Sequence, residues 1–169
     1  VVEESSSSAS TVSTASWGNI DWETFVTNVS NSSTYRGWYT ELAQGDTVTG
    51  VGAERVITKP SVIGGTLLFT TYIPKSDVCS YGGTSNLYSL YYKTGTAYKE
   101  STVGTTTSGG QTVVLKSISL GYGMASSPAV HVGQEEGAKA FVQTSTGEIK
   151  EITFELDLPK SGVISWREL

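Results

Sequence analysis

The chain has 169 residues, 37% apolar and only 16% charged, with a net charge of −5. That length suits one domain of ordinary size with a real core. The acidic balance, with no Lys/Arg cluster, argues against a nucleic-acid partner and against an anionic membrane surface, both of which need basic patches. Ser, Thr and Gly replace the missing charges, and 19 Gly beside 4 Pro favour strands and tight turns over helices.

Val1 to Ser16 form a Ser/Thr/Ala tract with little to bury. It reads as a flexible tail, or as an extended arm that adds to another subunit's sheet. The opening Val1-Val2-Glu3-Glu4-Ser5 lacks an initiator Met, the look of a processed product and equally of an artificial boundary. No apolar run is long enough for a membrane span, and no signal-peptide pattern is present. One helix is expected, Trp22 to Val29, with Asp21 as N-cap and an Ile20/Phe25 staple across the cap. Asn28-Val29-Ser30 and Asn31-Ser32-Ser33 match the N-glycosylation acceptor pattern.

From Gly37 the pattern is β, so residues 1–36 are taken as an N-terminal arm with a short helix and 37–169 as a β domain. Gly37 to Leu42 alternates as a strand does. Ser61-Val62-Ile63, Gly64-Gly65 and the run Thr66 to Ile73 predict a hairpin. Leu87 to Tyr92, Val113 to Leu120, Pro128 to Val132, Ala138 to Thr144 and Glu148 to Leu156 read as further strands. Ile149 differs in parity from Ile152 and Phe154, which predicts a bulge or early turn near Glu151. Lys59-Pro60-Ser61-Val62-Ile63-Gly64 is similar to Ser127-Pro128-Ala129-Val130-His131-Val132-Gly133, about 68 residues later. Each is followed by a strand containing Phe, and later by a Thr-Gly turn, Thr94-Gly95 or Thr146-Gly147. Repeated strand–turn–strand units of this kind suit the four-stranded blades of a β-propeller.

The run Glu54 to Pro74, followed by Ser76-Asp77-Val78-Cys79-Ser80-Tyr81-Gly82-Gly83-Thr84-Ser85, resembles the last blades of the PilY1/PilC family, large bacterial adhesins associated with the tips of type IV pili. Gly123 to Val130 is similar to the start of that family's final blade, and Ser165-Trp166-Arg167-Glu168-Leu169 to its end. The resemblance covers roughly Gly37 to Leu169. It implies an all-β chain of about two propeller blades, outside a bacterial cell, serving adhesion or pilus assembly. The loop residues Asp77, Cys79, Gly82, Gly83 and Ser85 carry the family motif, and the two glycines are expected to supply positive φ for a tight return. The sequence departs from the family in length, in having Val78 and Asn86 where Pro and Trp are common, and in lacking the calcium-binding run of alternating Asp/Asn.

Chemistry is scarce. His131 is the single histidine and Cys79 the single cysteine, too few for a zinc site or a nucleophile with its base and orienting acid. Cys79 has no internal disulfide partner, so it is a structural loop residue or pairs with another chain. Glu135-Glu136 lies at a hairpin tip, where adjacent acids cannot face each other across a cleft as glycosidase chemistry requires. No catalytic residue, metal or cofactor is expected, which disfavours a quinoprotein-like enzyme. Tyr88 and Tyr92 share a strand face with Leu90 and form a candidate interaction surface, although such rows also pack between blades. The expected partners are pilin or minor pilins, remaining propeller blades, or copies of the chain itself. The alternative to an adhesin is a structural subunit of an extracellular filament.

Overall fold

In the computed structural model, which describes residues 5–7, 11–75, 82–108, 110–133 and 138–154, the Gly64-Gly65 pair makes the hairpin expected of it. Both residues have positive φ, 55° and 79°, as a two-residue turn matching strand twist requires. They join β5 (Ser61–Ile63) to β6 (Thr66–Pro74). The earlier strands are β1 (Ser5–Ser7), β2 (Thr11–Thr14), β3 (Gly18–Asp21) and β4 (Arg55–Val56), with α1 (Trp22–Asn31) after β3. The later ones are β7 (Gly83–Tyr91), β8 (Thr105–Ser108), β9 (Gln111–Val114), β10 (Ser117–Tyr122), β11 (Ala129–Val132), β12 (Ala138–Gln143) and β13 (Ile149–Phe154). The fold is all-β, and the described residues form three antiparallel sheets.

The middle sheet runs β10-β7-β6, and β6 carries both β4 and β5 on its other side. Pro60, which has no N–H to give a ladder, lies in the gap between β4 and β5. There the Thr58 hydroxyl meets the Thr70 side chain at 2.7 Å and donates to the Thr70 carbonyl at 3.3 Å. One face of this sheet (Leu68, Leu87, Leu120) packs against Ala138, Ala140, Val142 and Ile152 of the third sheet, β11-β12-β13. The alanines of β12 leave room for the larger leucines opposite, as a close-packed core requires. Polar ties fasten the sheets: Thr70 donates to the Ser126 carbonyl at 3.0 Å, and the Lys59 N–H to the Ser127 hydroxyl at 3.2 Å.

The two similar segments thus form two hairpins, β5–β6 and β11–β12, each led by a proline and each continued by a third antiparallel strand, β7 or β13. Each Thr-Gly turn holds a pair of threonine hydroxyls two residues apart, with the glycine between them in the first and after them in the second. Thr94 meets Thr96, and Thr144 meets Thr146, at 2.7 Å each, with Gly95 and Gly147 at φ 71° and 88°. They are not equivalent in the meander, however, because Thr94-Gly95 follows the third strand whereas Thr146-Gly147 joins the second to the third.

Three expectations are corrected. Gly37 to Leu42 forms no ladder. Trp38, Thr40 and Leu42 turn inward and Gly37, Tyr39 and Glu41 outward, but the segment lies across the other face of the middle sheet, where Trp38 and Leu42 pack on Phe69, Tyr88 and Leu90. Val113 to Leu120 is divided at Leu115 and Lys116: the Leu115 N–H bonds Gly104 on one side, and the Lys116 carbonyl accepts from Ser89 on the other. No bulge interrupts β13, which pairs with β12 continuously from Gln143↔Ile149 to Ala138↔Phe154. Ile149 is outward at 65% exposure and Ile152 inward at 9%, so their parity needs no extra residue.

The N-terminal segment is more folded than a tail. β2 and β3 form a hairpin, and β1 joins it to β9 and β8 in a sheet of order β3-β2-β1-β9-β8. α1 starts where the sequence places it, with the Asp21 carboxylate accepting the Thr24 N–H at 2.9 Å, and it runs two residues beyond Val29. Val12, Trp22 and Phe25 are buried with Tyr98, and Ile20 and Tyr91 pack on that cluster. Trp22 meets the Tyr91 and Tyr98 rings at 5.4 and 5.9 Å. Burying a side chain the size of Phe25 contributes about 1.5–3 kcal/mol, so this segment is held by a core that it shares with Tyr91 and Tyr98.

Candidate interaction surface

Of the five motif-loop residues, Asp77 and Cys79 lie outside the described residues, as do Glu135-Glu136 and the Ser165–Leu169 end. Gly82, Gly83 and Ser85 form the loop's stem. The Gly82 carbonyl accepts from Lys75 N–H at 3.2 Å, and that of Gly83 from Gly123 N–H at 2.9 Å. Gly83 does not have the positive φ expected of it. Its need for glycine is a close approach: a Cβ there would stand 2.5 Å from the Ile73 carbonyl and the Tyr72 ring. Ser85 is fully buried; its hydroxyl donates to the Gly123 carbonyl at 2.7 Å and accepts the Ala125 N–H at 3.1 Å. The stem is therefore bonded to the segment that leads into the third sheet.

Tyr88 and Tyr92 do not make a common exposed row. Tyr88 is buried, its ring stacked on Phe69 at 5.0 Å and 6°. Tyr92 lies just past the end of β7, half exposed, with the Lys93 ammonium 5.8 Å from its ring centre. The strand twists and ends between them, so one face of the sequence becomes two environments.

Beneath Tyr88 lies a residue that the sequence reading passed over. Glu54 is 7% exposed, and its carboxylate accepts four hydrogen bonds: from the Thr71 hydroxyl, from Asn86 Nδ2 at 2.9 Å, from the Tyr88 hydroxyl at 3.1 Å and from the Ala43 N–H at 3.1 Å. Burial pushes its pKa up, but the donors together outweigh burial and hold it below the ordinary glutamate value. Burial, then the charge of Glu54, pushes the Tyr88 phenol up to about 12. Glu54 thereby fixes β6, β7 and the 38–43 segment to one another. No periodicity in the sequence marks it.

The 38–43 segment does not cover the whole face. A groove of about 280 Å³ remains, floored by Leu67 and Phe69 and walled by Trp38, Thr40, Leu42, Val56 and Pro60. Val56 and the neighbouring Ile57 are 45% and 46% exposed. Trp38 is held by its Nε1 donating to the Tyr92 carbonyl at 2.8 Å. None of the lining side chains ionises, so the groove suits apolar contact and not acid–base work. Elsewhere among the described residues no three His, Cys, Asp or Glu side chains converge, and His131 lies exposed on β11 opposite Lys139. No described helix is long and apolar enough to cross a membrane.

Comparison of the chain with protein-family models, curated proteins and solved structures found no match.

Proposed function

We propose that the chain is an extracellular, non-catalytic protein of bacterial type IV pili, acting in adhesion or pilus assembly. The observation that carries this reading is the stacking of two proline-led antiparallel meanders, β5–β6–β7 and β11–β12–β13, face to face. Adjoining propeller blades pack in this way, and the motifs resembling the pilus tip-associated adhesins run through both meanders. The groove on the other face of the middle sheet is where a further sheet would stack, supplied by more of the propeller or by a pilin. Deleting the gene in the source bacterium and labelling the protein on its surface tests the reading. The expected result is label on pili, with reduced piliation or attachment in the deletion strain. Label away from pili, with unchanged piliation, attachment and twitching, would overturn it.

The second reading is a structural subunit of an extracellular filament. It is favoured by the same apolar groove, because a face open on one side and closed on the other permits head-to-tail addition of copies. Reconstituted fibres made of this chain alone would favour it over the first.

A further inference from the structure

Two acceptor motifs follow one another along α1, Asn28-Val29-Ser30 and Asn31-Ser32-Ser33, and the fold treats them differently. Asn28 and Ser30 both lie within the helix, which runs to Asn31. Helical residues two apart do not face each other, so the Ser30 hydroxyl is turned away from the Asn28 amide. Asn28 is also half-buried, whereas Asn31 is exposed. At Asn31 the chain leaves the helix: Ser32 is extended, with φ −72° and ψ 130°. Ser33 therefore lies outside the helical repeat and, like Asn31, is exposed. The exit is fixed, since the Ser32 hydroxyl accepts the N–H groups of Thr34 and Tyr35, each at 3.1 Å. Tyr35 in turn packs on Trp17 at 5.5 Å. The buried side of α1 is built from Trp22 and Phe25, with Val26 and Val29 packed beside them, so a group on Asn31 displaces none of that core.

We propose that Asn31 is an N-glycosylation acceptor in the folded protein and that Asn28 is not. In the transfer, Asn31 Nδ2 attacks the anomeric carbon of a sugar activated as a nucleotide or lipid diphosphate. A C–N bond replaces the C–O bond to phosphate, the diphosphate leaves with the bonding pair, and one amide proton passes to the transferase's base. No oxidant or reductant is needed. The inference is independent of the pilus reading.

The test treats the folded full chain with UDP-glucose and a soluble bacterial N-glycosyltransferase that recognises Asn-x-Ser/Thr, followed by intact-mass and peptide mapping. A peptide spanning residues 26–36 serves as the unfolded reference. One hexose is expected on the folded chain, at Asn31. It is lost in Asn31→Gln and in Ser33→Ala and kept in Asn28→Gln, with unchanged melting in all three, while the peptide is modified at both asparagines. Hexose on Asn28 of the folded chain, or none on Asn31 when the peptide accepts it there, would overturn the proposal.

Discussion

The buried Glu54 carboxylate gathers four hydrogen bonds, and its removal has a calculable cost. Replacing it with Ala leaves Thr71, Asn86, Tyr88 and the Ala43 N–H without their acceptor. Each buried donor left unpaired costs about 1–3 kcal/mol, and denaturant unfolding of Glu54→Ala should show a loss of at least that size. The pH dependence is more specific. With the folded pKa below the ordinary 4.5, the stabilisation is complete above 4.5 and is lost as pH falls through the folded value. Glu54→Gln should flatten that part of the acid unfolding curve; an unchanged curve would show that the carboxylate is not charged in the fold. Tyr88 has the opposite sense. Its neutral form is the folded one, so its contribution is complete below pH 10.0 and is lost as pH rises through about 12. Ultraviolet titration should find one tyrosine ionising near 12, absent in Tyr88→Phe.

At the scale of elements, glycines decide where segments meet. A Cβ at Gly83 would meet the Ile73 carbonyl and the Tyr72 ring at 2.5 Å, and overpacking of this kind costs about 1–3 kcal/mol. Gly83→Val should therefore lower stability by that amount through crowding, and unchanged melting would contradict the packing of the loop stem. Gly95, at φ 71°, would drive a Cβ into the Trp38 ring, so Gly95→Ala should loosen the 38–43 segment and raise Trp38's accessibility to a fluorescence quencher. Local signals of this sort made much of the fold legible in the sequence. Gly64-Gly65 specified its turn, Asp21 specified the start of α1, and the two proline-led runs specified two hairpins. What alternation could not specify was a partner. Gly37 to Leu42 shows the period of a strand because one side is buried, yet that burial comes from lying across a sheet and not from joining its edge. The apolar run after Gly110 likewise holds no mark of passing from one sheet to another at Leu115. Glu54 stayed hidden because its side-chain donors come from 17, 32 and 34 residues away, and no local pattern records such distances.

For the whole molecule, the unequal treatment of the middle sheet's two faces matters most. One is closed by the third sheet; the other keeps an apolar groove with Val56 and Ile57 exposed at its wall. Exposed apolar surface of this kind marks sites of association, and a propeller buries it by stacking the next sheet. On the proposed reading a neighbour covers that face, and in the isolated chain the available neighbour is another copy. Sedimentation velocity across a dilution series measures this most directly. The predicted result is a species heavier than one chain that dissociates on dilution, and that is weakened by Val56→Glu without a change in melting temperature. A compact, stable single chain at every concentration would contradict the account and identify a self-contained β-sandwich instead.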